Sequence, residues 1–138
     1  MEHELLKEHG KAMRDPVWGY VHLPEPVLSI VDTEDFQRLR NITQLGYVHL
    51  VYPGARHSRF EHSIGVYHLA KQFLSRLLMS DPPLELNDED IRVFIAATLL
   101  HDIGHYPFSH TLEELVPFFV LHEERARQII LNSKGPIY

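Results

Sequence analysis

The ten residues from His101 to His110 hold three histidines and an aspartate, directly after an apolar run from Val93 to Leu100. Adjacent His101 and Asp102 at the end of a buried helix can offer one imidazole nitrogen and one carboxylate oxygen to a single divalent ion, a mixed donor set that suits a hard or borderline metal. Gly104 lets the chain turn and Pro107 forbids simple continuation. Arg59 and His62, three apart, share one helix face, so a single turn can present a metal ligand and a cation for phosphate. Glu113 follows His110 by three residues, and an acid on that face can orient the imidazole.

These groups need helices to hold them. Asn87, followed by Asp88, Glu89 and Asp90, caps a helix in which Ile91, Phe94, Ile95, Thr98 and Leu99 keep the 3.6-residue rhythm, while Val93, Ala96, Ala97 and Leu100 fill its other faces. A helix apolar nearly all round is expected to be central and to shield His101 and Asp102. A second long amphipathic pattern runs from about Arg59 to Met79, with Ile64, Leu69, Phe73, Leu74, Leu77 and Leu78 apolar, and Asp81-Pro82-Pro83 breaks it. Ser109 caps a helix expected through Val116, and His122 opens a last one with Ala126, Ile129 and Ile130 on its inward stripe, ended by Gly135-Pro136. Upstream, residues 1–14 read as a solvated N-terminus or a loose helix, and Asp15 to Leu23 as a short strand or small hairpin. Glu25 to Val31 and a Thr33-capped segment with Phe36, Leu39 and Ile42 inward read as short helices, and Tyr47 to Tyr52 as a small strand.

With 138 residues, 44% hydrophobic and 23% charged, the chain is long enough for one domain with a sizeable core. It has no cysteine, which excludes disulfides and thiolate sites and leaves any metal to His, Asp and Glu, of which histidine is present eleven times. No apolar run reaches the roughly 20 residues of a membrane span, and the start lacks a signal-peptide pattern, so a cytoplasmic location is expected. A net charge of −6 argues against broad electrostatic coating of nucleic acid, despite Arg38, Arg40, Arg56 and Arg59.

Taken together, Arg59-Phe60-Glu61-His62, the His101-Asp102 pair, His105, His110 and His122-Glu123 resemble the HD-domain phosphohydrolase superfamily. Phe36 to Arg40, Gln44-Leu45-Gly46 and Pro53-Gly54-Ala55 extend the likeness toward its deoxynucleoside triphosphate triphosphohydrolase branch. The resemblance implies a mainly α fold, the HD-domain helical fold, with one or two short N-terminal β-strands. It implies one divalent metal ion (Mn, Fe, Ni, Zn or Mg) on His62, His101 and Asp102. A fourth ligand, an aspartate on a later helix, falls past residue 138, so residues 1–138 are expected to be a single HD domain forming the N-terminal part of a longer enzyme.

By the same resemblance, Arg59, Gln44 and Leu45 are substrate-binding, while His105, Glu113, His110 and His122 are catalytic, Glu113 standing where the family has aspartate. The implied reaction is hydrolysis of a deoxynucleoside triphosphate to nucleoside and triphosphate, with nucleotide as partner, no membrane or nucleic acid, and a possible homo-oligomer. Two alternatives remain open: hydrolysis of another phosphorylated metabolite, and a truncated, non-catalytic nucleotide-binding module that lacks the distal acid.

Overall fold

Two capping boxes set the frame of the molecule. In the computed structural model, which describes residues 3–108, 110–111 and 118–132, Ser58 and Glu61 exchange side-chain-to-backbone bonds at the start of the long helix, and Asn87 and Asp90 do the same at the start of its neighbour. Each box satisfies donors that a helix end leaves open. The described elements are a hairpin, β1 (Lys11–Asp15) and β2 (Gly19–Leu23), then helices α1 (Glu25–Val31), α2 (Glu34–Gln37), α3 (Arg59–Leu78), α4 (Asp88–Leu100) and α5 (His122–Ile130). Short 3-10 turns lie at Glu4–Leu6, Arg38–Asn41 and Gly46–Leu50.

Helix α3 packs on α4, and the core lies between them and the N-terminal elements. Phe60, Ile64, Tyr67 and Leu74 meet Ile91, Ile95 and Leu99, with Phe36, Leu39 and Ile42 closing one side and Val21, Leu23, Val27 and Val31 the other. The expected inward set at 36, 39 and 42 is therefore buried, and Thr33 caps α2 by accepting from the Phe36 amide. Removing each such side chain from water contributes about 1.5–3 kcal/mol.

Four expectations need correction. Helix α4 is not apolar-buried all round: Val93 is 58% exposed and Ala97 is exposed, so only one stripe of it faces the core. On α3, Leu69 and Phe73 also face outward. Residues 1–14 do not form a helix beyond the turn at Glu4–Leu6; Lys11–Asp15 is instead the first hairpin strand, paired from Lys11↔Leu23 to Asp15↔Gly19. Its side chains are mostly exposed, so its strand state comes from pairing with β2 rather than from its own pattern. The Asp15 carboxylate closes the turn by accepting from the Val17 and Trp18 amides.

The β-prone stretch from Tyr47 to Tyr52 is the fourth. Gly46 takes φ +54° and residues 46–50 wind into a 3-10 turn with local bonds, Val48 to the Leu45 carbonyl and Val51 to the Val48 carbonyl. The chain is zipped just outside this stretch instead: the Gln44 amide donates to the His57 carbonyl at 3.1 Å, the Arg59 amide to the Ile42 carbonyl at 2.8 Å, and Thr43 bridges Ser58. Residues 45–56 are left as a closed loop with no ladder to join among the described residues, and Tyr47, Leu50, Val51 and Tyr52 are exposed.

The N-terminal segment is tied to α3 by a buried cation. Lys71, 1% exposed, donates to the Glu8 carboxylate at 2.6 Å and to the Lys7 carbonyl at 3.3 Å, and the His22 ring also meets Glu8 at 2.6 Å. At the other end, α5 lies directly on the turn after Asp102. A Cβ at Gly104 would collide with the His122 carbonyl and the Ala126 amide, so only glycine admits this approach.

Candidate active site

The N-terminal turn of α3 and the C-terminal end of α4 bring four side chains together around one carboxylate. Arg59 and His62 stand three apart on α3; His101 is the C-cap of α4 and Asp102 follows it. Asp102 is buried, and its two oxygens serve four neighbours. Oδ2 accepts from Arg59 Nη1 at 2.7 Å and lies 3.8 Å from His62 Nε2, while Oδ1 lies 3.6 Å from His101 Nε2 and 3.3 Å from His105 Nε2. Burial by itself would push this carboxyl up, but the hydrogen bond from His105 and the adjacent Arg59 guanidinium hold it well below the usual carboxylate range.

His62, His101 and Asp102 form a group whose donor atoms all lie within 4.8 Å of one another. The two Nε2 atoms are 3.2 Å apart, a spacing that two nitrogens sharing one ion at about 2.1 Å require. His101 Nδ1 faces the Thr98 carbonyl at 2.9 Å, which leaves Nε2 directed at the group, the outer-shell arrangement that orients ligating imidazoles. Burial lowers the His62 pKa, which favours the neutral form that binds a metal. This donor set fits a divalent ion of borderline hardness. His101 is more open than expected, its side chain being 35% exposed, because α4 ends at the protein surface.

The remaining histidines form a second group. His105 is 2% exposed, and its ring stacks on His122 at 3.9 Å with 15° between planes, while His110 meets both edge-on at 5.0 Å. The donor atoms of this trio also lie within 4.8 Å of one another, close enough for a shared ion, although the near-parallel planes of His105 and His122 keep their in-plane lone pairs from both pointing at one centre. His105 Nδ1 is buried with no hydrogen-bond partner among the described residues, and burial lowers the ring's pKa. His122 is half-buried with Nδ1 3.3 Å from the Glu123 carboxylate. Glu113, the Ser109 cap and the helix expected through Val116 lie outside the described residues, as does the stop at Gly135-Pro136.

Gln44 is placed beside the first group through His57, whose Nε2 meets its Oε1 at 2.7 Å. His57 and His62 in turn line one cavity of about 420 Å³ with Trp18, Val66 and Leu69. Leu45 is 45% exposed at the entry of the 46–50 turn, and no described contact links it to the histidines. The other arginines of the N-terminal half that sequence singles out go elsewhere: Arg40 lies over the Phe60 ring at 3.6 Å, Arg38 binds the carbonyls of Ile103 and His105, and Arg56 donates to the Pro53 carbonyl. Sequence reading gives no signal for His57 beside Gln44, nor for Arg125, which donates to the Gly104 and His105 carbonyls, because backbone carbonyls are partners that any residue supplies.

Comparison with known proteins agrees with this geometry. A family model described as the HD domain matches residues 59–138. The deoxynucleoside triphosphate triphosphohydrolase SAMHD1 homolog of Dictyostelium discoideum is 42% identical over 80% of this chain and 21% of its own length. The uncharacterized protein YwfO of Bacillus subtilis is 43% identical over 89% of this chain and 28% of its own. The crystal structure of a phosphohydrolase from Bacteroides thetaiotaomicron superposes with a TM-score of 0.80 at 36% identity, over 92% of this chain and 33% of that one. The chain thus spans no more than a third of these relatives. A helical fold with one short hairpin, the paired His101-Asp102 at a helix end beside His62, and the matching family model together establish that this chain belongs to the HD domain family.

Proposed function

We propose that this protein hydrolyses a nucleotide phosphoester at a divalent ion held by His62, His101 and Asp102, and that its substrate is a deoxynucleoside triphosphate, released as nucleoside and triphosphate. The observation that carries the reading is that one carboxylate, Asp102, joins a three-donor ligand group, a buried arginine and the histidine trio. Similarity to proteins named as deoxynucleoside triphosphate triphosphohydrolases supports the substrate class. When bound, a divalent ion supplies a Lewis acid for a phosphoryl oxygen and a water of lowered pKa.

The chain's own residues do the rest. Arg59, oriented by Asp102, presents positive charge to the α-phosphate. With His105 Nε2–H directed to Asp102, Nδ1 is the atom left to accept and return a proton. His110 and His122 border the same space and contact phosphate oxygens, and Glu113, by the sequence resemblance alone, is the acid that assists His105. Gln44, fixed by His57, and Leu45 contact the sugar.

The test is metal content per chain on untagged protein purified without chelator, for the wild type and Asp102→Ala, followed by a nucleotide panel with and without manganese. About one ion per chain, lost in the variant, with triphosphate released from deoxynucleotides, is expected. Nucleotide binding without turnover under any metal, with His101→Ala altering neither metal content nor binding, would leave a non-catalytic nucleotide-binding module and sink the proposal.

A further inference from the structure

Two arginines with no part in the proposed reaction meet at the backbone of the loop that carries His105. Arg38, in the turn after α2, donates Nη1 to the His105 carbonyl at 2.6 Å and Nη2 to the Ile103 carbonyl at 2.5 Å. Arg125, on α5, donates Nη1 to the Gly104 carbonyl at 3.0 Å and to the His105 carbonyl at 3.2 Å, its guanidinium lying over the Tyr106 ring at 4.5 Å. Three consecutive carbonyls are held by two guanidiniums from distant parts of the chain.

Helix capping does not account for this. The carbonyls that an α-helix end leaves open are its last four, which for α4 end at Leu100; those clamped here belong to residues 103–105, beyond the helix. Holding two cations on one carbonyl is electrostatically unfavourable, yet both guanidiniums meet at the carbonyl of His105 itself. Arg125 also sits one helical turn after His122, so the helix that provides one member of the His105–His122 stack binds the backbone of the other.

We infer that Arg38 and Arg125 are positioning residues that fix the His105 backbone, keeping its ring stacked on His122 and within reach of Asp102. The inference rests on His105 as the proton-transfer group and adds what sets its place. Arg125→Met keeps an apolar stem of similar length and removes the donors; Arg38→Lys keeps the charge and loses the two-pronged donor that spans two carbonyls.

The experiment reads two signals on metal-loaded protein. Histidine-selective NMR follows the mutual ring shielding of His105 and His122, and kinetics on deoxynucleoside triphosphate separates kcat from KM. Both variants should lose the shielding, and kcat should fall roughly 10- to 100-fold, the range a displacement of about an ångström produces, with KM and metal content close to wild type. Guanidinium ion should restore part of both the shielding and kcat to Arg125→Ala. Unchanged shielding in both variants overturns the inference. A wild type without turnover overturns the proposed reaction instead, and the shielding then decides the clamp by itself.

Discussion

A carboxylate that serves four partners has little freedom to be replaced. Asp102 and Arg59 are 8% and 6% exposed at the side chain and 2.7 Å apart, so deleting either takes a close, buried ionic partner from the other. Asp102→Ala in the metal-free protein should therefore cost about 3–5 kcal/mol in urea unfolding, well beyond a surface change. Arg59→Met combined with Asp102→Leu should cost less than the sum of the two single changes, because the second change removes the charge whose pairing the first disrupts. Equal, additive losses would show that the pair is not coupled. At this scale the sequence was informative where residue type and short spacing carry the chemistry: His101-Asp102, and Arg59 with His62 one turn apart. It was silent on Asp102 as the common partner of Arg59 and His105, because that meeting depends on how α3 crosses the end of α4.

Helices were the legible elements, since capping residues and apolar rhythm lie within a few positions of each other: Thr33 and Asn87 cap as expected, while the Ser58 cap was not read from the sequence. Strands were less legible, because a strand needs a partner. Lys11–Asp15 has one in β2 despite a weak pattern, while Tyr47 to Tyr52 has a strong pattern and no described ladder. Contact between α5 and Gly104 was equally invisible, being an approach of one backbone to another. It yields a direct prediction. Gly104→Ala should push α5 away, break the His105–His122 stack and lower turnover at least tenfold, while His62, His101 and Asp102 keep their metal. Metal content and kcat measured together check this, and loss of both at once would mean that the contact supports the ligand group as well.

The whole molecule should register its histidines as acid sensitivity. Burial lowers the pKa of His62, His68 and His105, the last two being 5% and 2% exposed. Each therefore takes up its proton more readily in the unfolded chain. Their contribution to stability is complete above the unfolded value of about 6.5 and drains away as pH falls through the lower folded values. Asp102, held low as well, adds a further loss only below about pH 4. Thermal unfolding across pH 8 to 5 should thus show Tm falling from the mid-sixes downward. His68→Gln, remote from the ligand group, should flatten that slope, and an unaltered slope would assign the effect elsewhere. The zipper between residues 42–44 and 57–59 has a different consequence at this scale. Because residues 45–56 are closed off at their base, the cost of lengthening that loop grows only with the logarithm of its length. A segment inserted there would leave Arg59 and His62 where they stand, so the surface beside the candidate ligand group can be remodelled without moving the group itself.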